Sequence, residues 1–288
     1  MPSKILVTGA TGNVGSKVVE QLSAAGIPVR AAVQSTSKAA RIKEAGAEPV
    51  EFDFTRPETL AAAFDGVEKV FLLTPFVPNM AELGVRAVNA AKKAGVKYIV
   101  RMSALGANLK PAIKMGQWHR EVEKAVESSS IPYTILRPNS FMQNYSGALS
   151  GDIKAQSAIN LPDGDAKMSY IDTRDIASVA ATVLTHAGHE GQTYDLTGPE
   201  ALSNYEVAEV ISKAIGRKIT YISLPEEGAR ADAKQAGMPD WIIDALMELH
   251  AIIRAGKLAT VSSAVERITR RKPISFSQFA ADHLTAFR

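Results

Sequence analysis

Ile5-Leu6-Val7-Thr8-Gly9-Ala10-Thr11-Gly12-Asn13-Val14-Gly15 decides how this chain is read. Ile5–Val7 is a short apolar run that predicts a buried strand. Val14, Val18, Val19 and Leu22 then recur at helical spacing, and Gly26 follows as a C-cap signal. Glycines at 9, 12 and 15 let the backbone turn tightly and approach a bound group, and the third lets the helix pack on the strand. The amides around Thr11, Gly12, Asn13 and Val14 open the helix, where a pyrophosphate suits the field of the N-terminus. A glycine-rich turn without a ligand is the plain alternative. The position of this turn, between a strand and a helix at the head of an α/β pattern, favours a dinucleotide.

Outward from the turn, strands and helices alternate. Strands are expected at 28–33, 48–52, 69–73, 97–102 and 133–137, with helices at 37–45, 57–65, 79–94 and 119–128 between them. Right-handed crossovers then require a parallel sheet, so the prediction is α/β: a Rossmann-type doubly wound fold. After Arg137 the rhythm changes. Residues 138–167 read as loop-rich, with a turn at Leu161-Pro162-Asp163-Gly164-Asp165, and beyond 195 the pattern is mostly helical with one strand at 218–223. The expected organisation is a dinucleotide-binding domain over 1–137 with a return segment near 168–190. A smaller, mostly helical lobe is expected from 138–167 and 191–288, closing a cleft over the carboxyl ends of the strands.

Composition narrows the function classes. The 288 residues are 46% hydrophobic and 22% charged, the profile of an ordinary globular chain. A net charge of +3 argues against a nucleic-acid partner, and the basic run from Arg267 to Lys272 reads as surface decoration. There are no cysteines, which excludes disulfides, thiolate metal sites and a cysteine nucleophile. No apolar run reaches the roughly 20 residues needed to cross a bilayer. The first strand starts too early to leave room for a signal peptide, so a cytoplasmic location is expected, and an oligomer is allowed. His186 and His189 lie three apart without a third ligand, so no metal site is expected.

Several motifs together carry a family resemblance: the opening turn; Leu72-Leu73-Thr74-Pro75; His119 with Glu123 ahead of Ile131-Pro132-Tyr133-Thr134-Ile135-Leu136-Arg137-Pro138; Tyr170-Ile171-Asp172-Thr173-Arg174-Asp175-Ile176-Ala177; and Gly191-Gln192-Thr193-Tyr194-Asp195-Leu196-Thr197-Gly198. In this order and spacing the chain resembles the atypical short-chain dehydrogenase/reductases of the NmrA-like group. That group holds NAD(P)H-dependent quinone, triphenylmethane-dye and azo-dye reductases, and redox-sensing regulators. The resemblance also exposes a departure. Where the wider superfamily has Tyr-x-x-x-Lys, this chain places Met115 at the tyrosine and His119 at the lysine. Methionine moves no proton. The implied chemistry is direct hydride transfer to a conjugated quinone-, azo- or dye-type acceptor that needs no Tyr/Lys relay. The alternative is an NADP(H)-sensing regulator without turnover.

His119 is the one catalytic candidate, against a structural histidine bonded to backbone. Trp118 reads as packing and Glu123 as facing solvent or an arginine. Cofactor choice rests on Val33-Gln34-Ser35-Thr36-Ser37-Lys38, which lacks the carboxylate that NAD enzymes use on the ribose. Lys38 with the hydroxyls of Ser35 and Ser37, or else Arg30, is a candidate for a 2′-phosphate, so NADP(H) is favoured and NAD(H) possible. The resemblance sets Asp53, with Phe54, at the adenine edge. Leu73, Thr74, Pro75 and Ser103 follow the fourth and fifth strands on the cofactor side. Pro138, Asn139, Ser140 and Phe141 resemble the nicotinamide-side loop. Phe76, Met142 and Tyr145, with Phe141, are candidates for an apolar substrate pocket, or else for core. Asp172 and Asp175 read as caps for the following helix.

Overall fold

Ile5–Val7 forms β1, every side chain of it buried, and the glycine turn delivers the chain into α1 (Gly15–Ala24). The structure is a computed structural model that describes residues 4–34 and 39–288. There follow β2 (Val29–Val33), α2 (Ala39–Glu44), β3 (Glu48–Glu51), α3 (Pro57–Phe64), β4 (Lys69–Leu72), α4 (Met80–Lys93), β5 (Tyr98–Met102), α5 (Lys114–Ser128) and β6 (Tyr133–Pro138). Expected and observed bounds agree within a residue or two, except that α5 starts five residues before 119 and that 37–38, the expected start of the second helix, lie outside the described residues. Its first turn, Lys114-Met115-Gly116-Gln117, is too polar to announce itself. The amide of Lys114 donates to the Glu248 carboxylate at 2.6 Å, a cap that comes from far along the chain.

Downstream come α6 (Gln143–Ser146), α7 (Ser150–Gln156), β7 (Ala158–Leu161), β8 (Lys167–Met168), α8 (Thr173–Thr185), β9 (Gln192–Leu196), β10 (Leu202–Ser203), α9 (Asn204–Ile215) and β11 (Thr220–Ser223). The chain closes with α10 (Glu226–Gln235), α11 (Asp240–Arg254), α12 (Ala264–Thr269), α13 (Phe276–Asp282) and α14 (Leu284–Phe287). The region expected to be loop-rich therefore holds α6, α7 and β7. Elements of four to seven residues carry too little periodicity to read.

Two compact units emerge. The first comprises residues 1–107, 117–137 and 173–195. Its seven-stranded sheet has the order β3-β2-β1-β4-β5-β6-β9, and the pairs from β3 through β6 are parallel. Side chains of α3, α4 and α5 build one apolar layer with Leu6, Val70, Leu72 and Ile99, while α1 and α8 pack together and against β1, β2, β4 and β5. The sheet is thus covered on both faces, which is why its strands read as continuous apolar runs. β9 had no sequence expectation and lies within the segment assigned to the smaller lobe. It extends beside β6, with Gly191 N donating to Tyr133 O at 2.7 Å. As an edge strand with mostly exposed side chains, Gln192-Thr193-Tyr194-Asp195 has no apolar alternation to betray it.

The second unit comprises residues 108–116, 138–172 and 196–288. β11 pairs in parallel with β7, and β10 pairs antiparallel with β8. A reciprocal capping box of Ser203 and Glu206 opens α9. Its core stacks Tyr145, Tyr170, Phe276 and Phe279 edge to face, at centroid distances of 5.2–6.0 Å. Among the described residues no helix is long and apolar enough to cross a membrane.

Candidate functional site

The strand order reverses between β1 and β4, and in open parallel sheets ligands bind beyond the carboxyl ends of the strands at such a switch point. The glycine turn leaves β1 at that place and 73–75 leaves β4 beside it. One side chain ties the two together. The hydroxyl of Thr8, fully buried, donates to Leu73 O at 2.8 Å and accepts from Leu73 N at 2.7 Å. Thr8→Val removes this bracket and leaves both groups of Leu73 without it. We expect a stability loss of about 1–3 kcal/mol, read by urea denaturation.

Gly9 has φ +63°, and an added Cβ would meet Leu73 Cδ2 at 3.0 Å, so the turn and the close approach both require glycine. At Gly15 a Cβ would stand 2.1 Å from the Gly9 carbonyl oxygen, the tight strand–helix packing expected of the third glycine. Gly12 differs: a Cβ there would touch Gly9 O at 3.4 Å and nothing nearer. Thr11, Gly12 and Asn13 are exposed, and Val14 turns its side chain into the core. The Gly12 amide bonds to Gly9 O and the Ser16 amide to Gly12 O. Between them the amides of Asn13 and Val14 meet no described carbonyl. An open cradle with amide donors at the head of a ten-residue helix fits a pyrophosphate.

Around this cradle the first unit gathers most of the cofactor-side candidates. Gln34 is exposed at the end of β2. Ser35 and Lys38 lie outside the described residues. Arg30 is corrected: its guanidinium donates to Ala63 O at 3.0 Å and Asp65 O at 2.7 Å, closing the C-terminus of α3, and it pairs with Glu48. A residue so engaged at the start of β2 is not at hand for a phosphate beyond its end. Asp53 accepts from the amide and hydroxyl of Thr55, and those bonds hold its pKa below the ordinary value. Phe54 is buried against Phe52. Thr74 is buried, Leu73 and Pro75 half-buried, and Phe76 is 43% exposed, its ring edge-on to Trp118 at 6.1 Å.

The polar interior beneath the ends of β4 and β5 was not legible in the sequence. Of the two expected places for Glu123, facing solvent or an arginine, the structure takes the second: the side chain has no solvent exposure and meets two arginines. Its carboxylate accepts from Arg137 at 2.7 and 2.8 Å, from Arg120 at 2.9 Å and from Ser103 Oγ at 2.6 Å. Burial pushes this carboxyl up, but the bonds from Arg137, Ser103 and Arg120 outweigh it and hold the pKa at about 2. The Ser103 proton is thereby committed to Glu123, and what Ser103 retains is acceptor capacity. Arg101 is also fully buried. It donates to Leu72 O and Thr74 Oγ1, both at 3.2 Å, and meets His119 Nδ1 at 3.3 Å. Burial pushes its guanidinium down to about 9, with the charge of Glu123 opposing. A charged residue inside Tyr98-Ile99-Val100-Arg101-Met102 was the signal available in the sequence.

Candidates of the second unit are placed as follows. Asn139 is buried, its amide nitrogen donating to Ser169 Oγ at 2.8 Å and Leu258 O at 2.9 Å, so its side chain anchors its own loop. Pro138 is buried, Ser140 is half-buried, and Phe141 bridges Ile171 through backbone. Met142 and Tyr145 are each 1% exposed, and the Tyr145 hydroxyl donates to Asn204 at 2.5 Å. Both are core side chains, the alternative weighed against a pocket role. Asp172 is buried and accepts from Gln143, and Asp175 sits in the first turn of α8.

A parallel sheet in this order, with a glycine cradle at its switch point, defines a Rossmann-type α/β protein. The NmrA-like family model matches residues 1–273, and the chain belongs to that family. It is 39% identical over 286 residues to the NAD(P)H azoreductase of Xenophilus azovorans, covering 98% of this chain and 99% of that one. The NADPH complex of the quinone oxidoreductase QOR2 of Escherichia coli superposes with a TM-score of 0.88 at 31% identity, over 98% of this chain and 99% of that one. The NADP(H) complex of the triphenylmethane reductase of Citrobacter sp. gives 0.84 at 26% identity, over 97% and 99%.

Proposed function

We propose that the chain is an NAD(P)H-dependent oxidoreductase, favouring NADP(H), that passes hydride directly to a conjugated acceptor of quinone, azo or dye type. The observation that carries this reading is the open cradle at Gly12; Met115 and His119 on α5, where the family resemblance sets a Tyr/Lys pair, support direct transfer. The azoreductase, quinone oxidoreductase and triphenylmethane reductase relatives support it. The bound dinucleotide supplies the hydride.

The protein's own part is placement. The amides of Asn13 and Val14 hold the pyrophosphate, and Thr8 keeps the turn in register with Leu73-Thr74-Pro75. No carboxylate stands at Gln34 to reject a 2′-phosphate, which supports NADP(H). Phe76 and Trp118 offer the first unit an exposed aromatic edge suited to a flat acceptor. An extended conjugated acceptor spreads the charge of the reduced product and takes its proton from water.

The test is oxidation of NADPH and of NADH by purified protein with a panel of quinones and azo and triphenylmethane dyes, followed at the nicotinamide absorbance. Turnover well above the blank supports the reductase. Cofactor binding without turnover of any acceptor supports the sensor instead. Met115→Ala should keep kcat/KM within a few-fold, since no proton passes through a thioether. Loss of turnover in a folded Met115→Ala protein overturns the assignment of direct transfer.

A further inference from the structure

Arg101 is a buried cation without a buried anion of its own. Among the described residues no carboxylate stands within ion-pair distance of it, and its Nε has no hydrogen-bond partner. Glu123, one turn beyond His119 on α5, gives its oxygens to Ser103, Arg120 and Arg137 instead. Leaving a guanidinium in this state is costly, so its three contacts carry the explanation. Two are to Leu72 O and Thr74 Oγ1 in the β4 end. The third is to a histidine ring nitrogen.

A guanidinium has donors and no acceptor, so the ring atom facing it has to present a lone pair. Nδ1 of His119 is therefore unprotonated, and the ring proton resides on Nε2. That atom finds no partner among the described residues. Protonating Nδ1 sets an N–H against an N–H beside a buried positive charge. We propose that Arg101 is a positioning residue that holds His119 as the neutral Nε2–H tautomer, making His119 a fixed hydrogen-bond donor to an oxygen or nitrogen of the acceptor.

The charged groups acting on the ring are Arg101 from β5 and Glu123 on its own helix. Burial and the Arg101 charge together bring the His119 pKa down to about 3, against the smaller pull of Glu123. Across physiological pH the side chain is then an uncharged donor. As hydride reaches a conjugated acceptor, negative charge grows on its heteroatoms, and a pre-set donor strengthens there. The acceptor keeps its demand on water for the proton, because neutral imidazole gives up its N–H very reluctantly. This catalytic consequence rests on the reductase reading. The tautomer does not.

The test reads the ring-nitrogen NMR shifts of histidine-labelled protein against pH, with the His119 signals identified by their loss in His119→Asn. In the native protein the Nε2–H pattern should persist without protonation from pH about 8 to about 5. Arg101→Met removes the charge at similar length, and its melting curve checks the fold. In it the ring should populate both tautomers and its pKa should rise above the native one, with burial still holding it below the ordinary value. Where an acceptor is turned over, native kcat/KM should vary less than about two-fold over that range, and Arg101→Met should show a step of about three-fold or more at the raised pKa of its ring. Arg101→Lys, which keeps a donor, should retain the native tautomer. A native ring protonated on Nδ1, or titrating near 6.5, overturns the assignment whatever the turnover and whether or not a variant folds. The expected tautomer in a protein that reduces no acceptor leaves the Arg101 assignment standing and rejects the reductase reading.

Discussion

Gly12→Val should weaken NADPH binding by about a hundred-fold or more, close to 3 kcal/mol, while the melting temperature stays near that of the native protein. The two halves of this outcome have separate causes. A side chain at 12 meets Gly9 O at 3.4 Å, an ordinary contact, so the protein itself has room for it. Gly12 immediately precedes the Asn13 and Val14 amides, and a branched side chain on that exposed turn should keep a pyrophosphate from reaching the helix N-terminus. Gly15→Ala is the matched opposite. Its Cβ would lie 2.1 Å from Gly9 O and 2.6 Å from Gly9 C, both backbone atoms that cannot swing aside, so about 3 kcal/mol or more of stability should go. Calorimetric titration with NADPH, paired with thermal melts of both variants, checks the contrast. Undiminished binding in Gly12→Val would mean that the turn does not hold the dinucleotide.

Glu123→Gln should cost about 3–5 kcal/mol at neutral pH, the largest stability effect expected of any single side chain here. The variant leaves the largely buried Arg137 without its charge partner, while Arg120 keeps its pair with Glu127. A buried cation stripped of its anion is among the most destabilising lesions a fold meets. The same group predicts an acid dependence. Its folded pKa of about 2 lies below the ordinary 4.5, so the ionised form stabilises the fold above about 4.5. That contribution, about 3 kcal/mol in full, drains away as pH falls from about 4.5 toward 2. Urea denaturation of native and variant protein over this window should show the difference between them shrinking on acidification. A gap that stays constant down to pH about 2 counts against the buried carboxylate as its source.

The first unit was readable where its signals are local. A buried strand on a covered sheet is mostly apolar, so β1, β4, β5 and β6 announced themselves despite Arg101 inside β5. The glycines at 9 and 15 answer contacts that no side chain can share, and spacing alone located them. The offset of four between Met115 and His119 is likewise read from spacing, and the proposed direct transfer rests on it. Elements whose stability comes from elsewhere were silent: the edge strand β9, the short helices α6 and α7, and the first turn of α5, capped by Glu248.

By itself, then, the amino-acid order determined the sheet-and-crossover plan and the cradle after β1, because each is set by neighbours within a turn or two of the chain. Tertiary structure alone decided the fate of the polar side chains. It withdrew Arg30 to the end of α3, turned Met142 and Tyr145 into core, drew Glu123 inside among two arginines and a serine, and set Arg101 against His119. The physical reason is that the state of a charge depends on what surrounds it in space. Residues 101 and 119, or 123 and 137, meet only once the strands and α5 have packed.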